Sequence, residues 1–142
     1  MWKFTAIFLF FICTVTFAQT TREEWSKAFK DSKPNIENYV AAMVRGINRS
    51  KGKMIDEVTL NLGATSANRI IVTSYQLTTH EFTSNEALNA KKILYELAIK
   101  KSCNHPIFFV MLNEYDMKIN HRYFDKNMKE VIEFVVEKIE CN

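Results

Sequence analysis

Residues 117–136 read Met117-Lys118-Ile119-Asn120-His121-Arg122-Tyr123-Phe124-Asp125-Lys126-Asn127-Met128-Lys129-Glu130-Val131-Ile132-Glu133-Phe134-Val135-Val136. Met117, Ile119, His121 and Tyr123 alternate with Lys118, Asn120 and Arg122, a period of two that sorts the side chains onto the two faces of a strand. Asp125-Lys126-Asn127 supplies turn chemistry. The returning strand sets Ile132, Phe134 and Val136 on one face and Val131, Glu133 and Val135 on the other. A hairpin with one buried face is the reading.

The same period appears upstream. Val58, Leu60 and Leu62 alternate with Thr59 and Asn61, which places the apolar trio on one face of a strand. Residues 63–68 then read as a loop. Residues 69–78 form a second β-rich run with Ile71, Tyr75 and Leu77 on one side, and the two runs make a second antiparallel hairpin.

Elsewhere the period is helical. Ile36, Tyr39, Val40, Met43, Val44 and Ile47 form a single apolar stripe that ends near Gly46 to Gly52. Thr21-Arg22-Glu23-Glu24 is a capping box for a short helix carrying Trp25, Ala28 and Phe29, broken after Lys30 by Asp31-Ser32-Lys33-Pro34. Thr83-Ser84-Asn85-Glu86 is another. Its helix presents Ala87, Ala90, Leu94, Leu97 and Ala98 and is expected to stop near Lys100-Lys101, with Cys103 just beyond. Residues 107–112 are continuously apolar, which periodicity assigns to neither helix nor strand. The order helix, helix, hairpin, helix, undecided segment, hairpin implies an α+β fold. The expected core is an antiparallel four-stranded sheet made from two hairpins, with helices packed on one face.

The chain opens on Met1-Trp2-Lys3, an apolar run over residues 4–17, and Ala18-Gln19. A positive start, a short apolar middle and small residues at Thr16 and Ala18 make a secretory signal with cleavage after Ala18. The run is shorter than the roughly 20 apolar residues a spanning helix needs, so no transmembrane anchor is expected after cleavage. Residues 19–142 are then a single domain of 124 residues. Its 18 basic and 16 acidic side chains leave a net charge near +2, which implies no bulk attraction to nucleic acid or membrane. Cys13 departs with the signal, and Cys103 and Cys141 remain. An even pair in an exported chain is expected to form a disulfide.

Several positions together carry a resemblance. They are Met54-Ile55-Asp56-Glu57-Val58-Thr59-Leu60, Tyr75, Cys103, Pro106, Leu112, Tyr123-Phe124-Asp125 and Cys141. Residues 54–141 resemble a loose group of small exported bacterial proteins of unknown function. That group has an Asp-x-x-Thr-x-Leu strand, met here at Asp56 and Thr59 with Leu60 one place early. A tyrosine strand, a helix ending near a cysteine, and a Tyr-x-Asp hairpin closed by a cysteine follow. The resemblance implies a short helix over 107–114 and pairing of the cysteines. It departs at Thr73 and His121, where a second aromatic is expected, and at Met128, which stands for a turn glycine.

Chemistry-bearing groups are sparse. The three histidines, His80, His105 and His121, show no metal-ligand spacing, so no metal site is expected. Cys103 with His105 has the makings of a thiol and its base, but an exported thiol with a partner oxidises. Glu114 and Asp116 read as solvated acids. Three glycines in total leave no phosphate loop and no cofactor is implied. Arg45, Arg49, Lys51 and Lys53 cluster without an intervening acid and are candidates for contact with an anionic partner. Asn48-Arg49-Ser50 is a glycosylation sequon. These features imply an exported, periplasmic or secreted, non-catalytic binding protein whose partner is another envelope or exported protein. The alternative is a small exported hydrolase using His121 or His80 with a carboxylate.

Overall fold

The computed structural model describes residues 24, 27–31 and 35–141. The expected signal peptide and most of the first helix, including its capping box at Thr21, lie outside these residues. Residues 27–31 are helical. Phe29 is buried there, edge-on to Tyr39 at 4.8 Å and to Tyr115 at 5.5 Å.

Helix α1 spans Ile36–Asn48, with the Asn35 side chain accepting from the Asn38 N–H at 3.2 Å as its N-cap. Strand β1 (Thr59–Ala67) and strand β2 (Ile70–Leu77) form the first hairpin. Helix α2 covers Ser84–Cys103 and opens on the expected capping box: the Glu86 N–H donates to Thr83 Oγ1, and Glu86 Oε2 accepts from the Thr83 N–H. It takes in Cys103 instead of stopping before it. The undecided segment is helix α3, Pro106–Glu114, with Pro106 in its first turn and His105 as N-cap. Strands β3 (Lys118–Phe124) and β4 (Glu130–Val136) form the second hairpin.

The four strands lie in the order β1-β2-β3-β4, but the sheet is mixed rather than antiparallel. β2 and β3 run parallel, with Ile71 beside Ile119, Thr73 beside His121 and Tyr75 beside Tyr123. The connection explains the correction. Between the hairpins the chain travels through α2 and α3, which carry it back to the end of the sheet where β2 began. Two strands joined by such a crossover run the same way.

β1 also departs from its reading. The strand continues through residues 63–67, and its turn is the pair Asn68-Arg69, both with positive φ, a two-residue hairpin turn. A bulge between Asn61 and Gly63 breaks the register. Leu60 pairs with Gln76 and Asn61 with Tyr75, so the core-facing residue is Asn61, only 2% exposed, and the leucines are half-buried.

Asn61 is paid for in full by hydrogen bonds. Its Nδ2 donates to the Ile47 carbonyl (3.0 Å) and to Ser50 Oγ (2.8 Å), and its Oδ1 accepts from the Gly63 N–H (2.7 Å). Asn48 answers from α1, donating to the Ala64 carbonyl at 2.9 Å and accepting from the Ala64 N–H at 2.7 Å. Its side chain acts as one residue of a neighbouring strand. Gly63 is required here, because its φ is +103° and a Cβ would come within 2.7 Å of Asn48 Oδ1.

One sheet face holds the core. Ile71, Ile119, Ile132, Phe134 and Val136 meet Val110, Met111 and Leu112 of α3 and Ile36 and Val40 of α1. Cys103 and Cys141 form a disulfide with Cα atoms 5.6 Å apart. Buried Ile139 lies just before Cys141, its N–H donating to Asn113 Oδ1 at 3.0 Å. Among the described residues, no helix is long and apolar enough to cross a membrane.

Candidate functional site

The core face changes character along the strands. Its row Ser66-Ile71-Ile119-Val136 is apolar apart from the exposed Ser66 at its edge, the next is Ala64-Thr73-His121-Phe134, and the next is Asn61-Tyr75-Tyr123-Ile132. The chemistry-bearing side chains of the interior sit in these last two rows.

His121 occupies the middle of β3. Its Nδ1 lies 2.8 Å from Thr73 Oγ1, and the Thr73 hydroxyl also donates to the Asn120 carbonyl at 3.4 Å. The ring stacks on Tyr75 at 6.3 Å and tilts against Phe134 at 5.1 Å. Burial first, and then the positive charge of Lys101, lower its pKa to about 4. No carboxylate contacts the ring among the described residues. Burial likewise raises the Tyr75 and Tyr123 phenols, so both stay protonated at neutral pH; the Thr73 hydroxyl opposes the shift at Tyr75. Tyr95 of α2 closes the band edge-on to Phe134 at 5.7 Å.

The other imidazoles are apart from this band. His80 is exposed before α2, 3.5 Å from Glu86 and edge-on to Phe82. His80 and His121 share no hydrogen bond, ion pair or ring contact among the described residues, and the carboxylate beside His80 is the exposed Glu86 of the α2 capping box. His105 accepts from the Phe108 N–H as the α3 cap, and Cys103 is held in the disulfide. Glu114 pairs with Lys30 at 2.9 Å, and Asp116 is an exposed turn residue. No group of three or more metal-ligating side chains occurs among the described residues.

No family model matches the sequence, and no curated protein does either. The fold, however, has a counterpart. A crystal structure described as a "putative secreted protein", from Pseudomonas aeruginosa, superposes with a TM-score of 0.57 at 10% identity. The match covers 70% of this chain and 87% of that one. At this identity the likeness speaks to the fold alone. The disulfide within this chain agrees with export.

Arg45 and Arg49 are exposed at the end of α1, and Lys51 and Lys53 are exposed in the loop that follows. The stem of Lys51 lies over Gly63, and the Lys53 carbonyl accepts from the Asn61 N–H, so the four cations stand on a fixed frame. The sequon residue Asn48 has its amide bound on both sides to Ala64, which leaves its Nδ2 engaged.

Sequence reasoning missed two surface features. Helix α2 exposes Leu88 (67%), Ile93 and Tyr95 outside its core stripe, and Leu97, expected on that stripe, is exposed at its edge as well. Between its second half and the chain's tail lies an open, mainly apolar groove of about 510 Å³, lined by Tyr95, Ile99, Glu140 and the disulfide. The mixed apolar and polar periphery of α2, which weakens a single helical stripe, was the available signal.

Proposed function

We propose that this chain is the precursor of an exported, non-catalytic binding protein. Residues 1–18 direct export and are removed, and residues 19–142 act in the periplasm or outside the cell on another envelope or exported protein. The observation that carries the reading is the setting of His121. A general base works best with a pKa near the operating pH, whereas this imidazole is half-buried, tied to Thr73 and held near 4 by desolvation and a lysine as its charged neighbour. No observation favours the hydrolase.

Exposed Leu88 and Tyr95 on one flank of the α2 core stripe, and Ile93 and Leu97 on the other, supply contact surfaces, since apolar side chains left outside a folded core mark contact sites. β4 is an edge strand beside Tyr95, which offers a partner an extended segment to pair with.

Co-purification from the exported fraction tests the reading. The intact mass should correspond to cleavage after Ala18. His80→Ala and His121→Ala proteins that remain folded should capture the same partner, and Tyr95→Ala with Leu97→Ser should lose it. A folded His121→Ala protein that keeps its partner yet loses function a hundredfold would overturn the proposal in favour of an enzyme.

A further inference from the structure

Residues 48–58 are exposed without interruption. A solvated loop of this length would be expected to carry polar side chains, yet Met54, Ile55 and Val58 stand 48%, 54% and 40% exposed in it. They are not loosely held. The Gly52 N–H donates to the Asn61 carbonyl at 2.7 Å, and the Ile55 N–H donates to the Thr59 carbonyl at 2.7 Å. Met54 forms a bridge with Leu60, and Asp56 Oδ1 accepts from the N–H groups of Val58 and Thr59. The apolar side chains are therefore presented on a fixed backbone, which lowers the entropy cost of burying them elsewhere.

The same stretch of chain and the last turn of α1 carry exposed Arg45, Arg49, Lys51 and Lys53, none in an ion pair among the described residues. Lys101 of α2 is close enough for its charge to act on Asp56, which adds a fifth cation to this end of the molecule. Against them stand Asp56, already occupied by the loop's own N–H groups, and Glu57.

The geometry points to this loop as a peripheral docking surface for an anionic lipid bilayer, with Met54, Ile55 and Val58 entering the interface and Arg45, Arg49, Lys51 and Lys53 meeting the headgroups. Exposed apolar residues adjoining cations that have no acidic partner suit a deformable, negatively charged surface. The surface is separate from the groove beside α2, so the inference does not depend on which protein is captured there. Near neutrality of the whole domain does not oppose it, since only charges within about a Debye length of the membrane count.

The test uses the processed exported protein and sedimented vesicles, of phosphatidylcholine alone and of an equal mixture with phosphatidylglycerol. Binding is expected to the mixed vesicles only, and to fall away at 0.5 M salt. Each cation near an anionic leaflet is worth roughly fivefold in binding, so Arg49→Gln with Lys53→Gln should cost roughly thirtyfold. Met54→Ser with Ile55→Ser should cost about tenfold or more. An Ile55→Trp variant should shift its emission to the blue on mixed vesicles. These residues are exposed, and circular dichroism checks that the variants fold. Wild-type protein that ignores both vesicles, or loop variants that bind as wild type does, would overturn the inference. So would loop variants that lose a captured envelope protein where no vesicle binding exists, which would assign the loop to a protein contact.

Discussion

Acidification should destabilise this domain through one half-buried imidazole. His121 titrates near 4 in the fold against about 6.5 in an unfolded chain. Between those values the unfolded state holds a proton that the native state does not, so stability rises with pH at about 1.4 kcal/mol per unit. The contribution is complete above pH 6.5 and is lost as pH falls toward 4. From pH 7 to 4.5 the loss comes to about 2.5 kcal/mol, a large part of a typical domain stability of about 5–15 kcal/mol. Asp56, Glu86 and Glu137 are also held below their ordinary range, chiefly by hydrogen bonds. They are exposed, and their losses begin lower in pH. Urea unfolding followed by circular dichroism at pH 7, 5.5 and 4.5 separates the two sources when wild type is compared with His121→Gln. The wild-type curve should fall more steeply, by about 2.5 kcal/mol across the range. Parallel curves would show that the imidazole titrates normally and would remove the main argument against a catalytic histidine.

Three further outcomes follow from the packing. Alkylation of the exported protein without reductant should label no thiol, and Cys103→Ser with Cys141→Ser should lower the urea midpoint by an amount equivalent to about 4 kcal/mol. Met128 sits at φ +62° in the β3–β4 turn. Met128→Gly should therefore raise stability by about 1 kcal/mol, seen as a melting temperature a few degrees higher. Gly63→Ala should cost about 2 kcal/mol or more in the same measurement, because the new Cβ meets Asn48 Oδ1 in a backbone conformation that alanine disfavours.

The second hairpin was legible because its alternation is strict: Ile119 and His121 on β3, and Ile132, Phe134 and Val136 on β4, all face inward as the pattern requires. β1 was misread for a local reason. The bulge at Leu62 changes which side chains face inward, and a buried asparagine between two leucines runs against the rule that apolar residues mark the core face. The parallel β2–β3 pair had no local signature, since periodicity says nothing about the end at which a chain re-enters its sheet. At the candidate site, His121 was legible as an inward-facing histidine, but Thr73 stood out only as a place where an aromatic was expected. They prove to be each other's hydrogen-bond partners, 48 positions apart, and no short-range pattern reports a pair that distant. Met128 is the simpler case: the glycine position it fills has the positive φ that a glycine would explain. The cation cluster could be read from the chain, whereas the outward setting of Met54 and Ile55 depends on a loop fold that only the structure supplies.

The Cys103–Cys141 bond decides how the molecule bears force. It closes a covalent ring that contains α3, β3 and β4. Tension applied beyond Cys141 passes through the sulfur atoms directly into the end of α2, and residues 104–140 carry none of it. β4 is thereby relieved of the peeling load to which an edge strand near a chain end is otherwise exposed. A single protease cut within the ring would open it without releasing a fragment, leaving both pieces joined by the sulfur–sulfur bond at the end of α2.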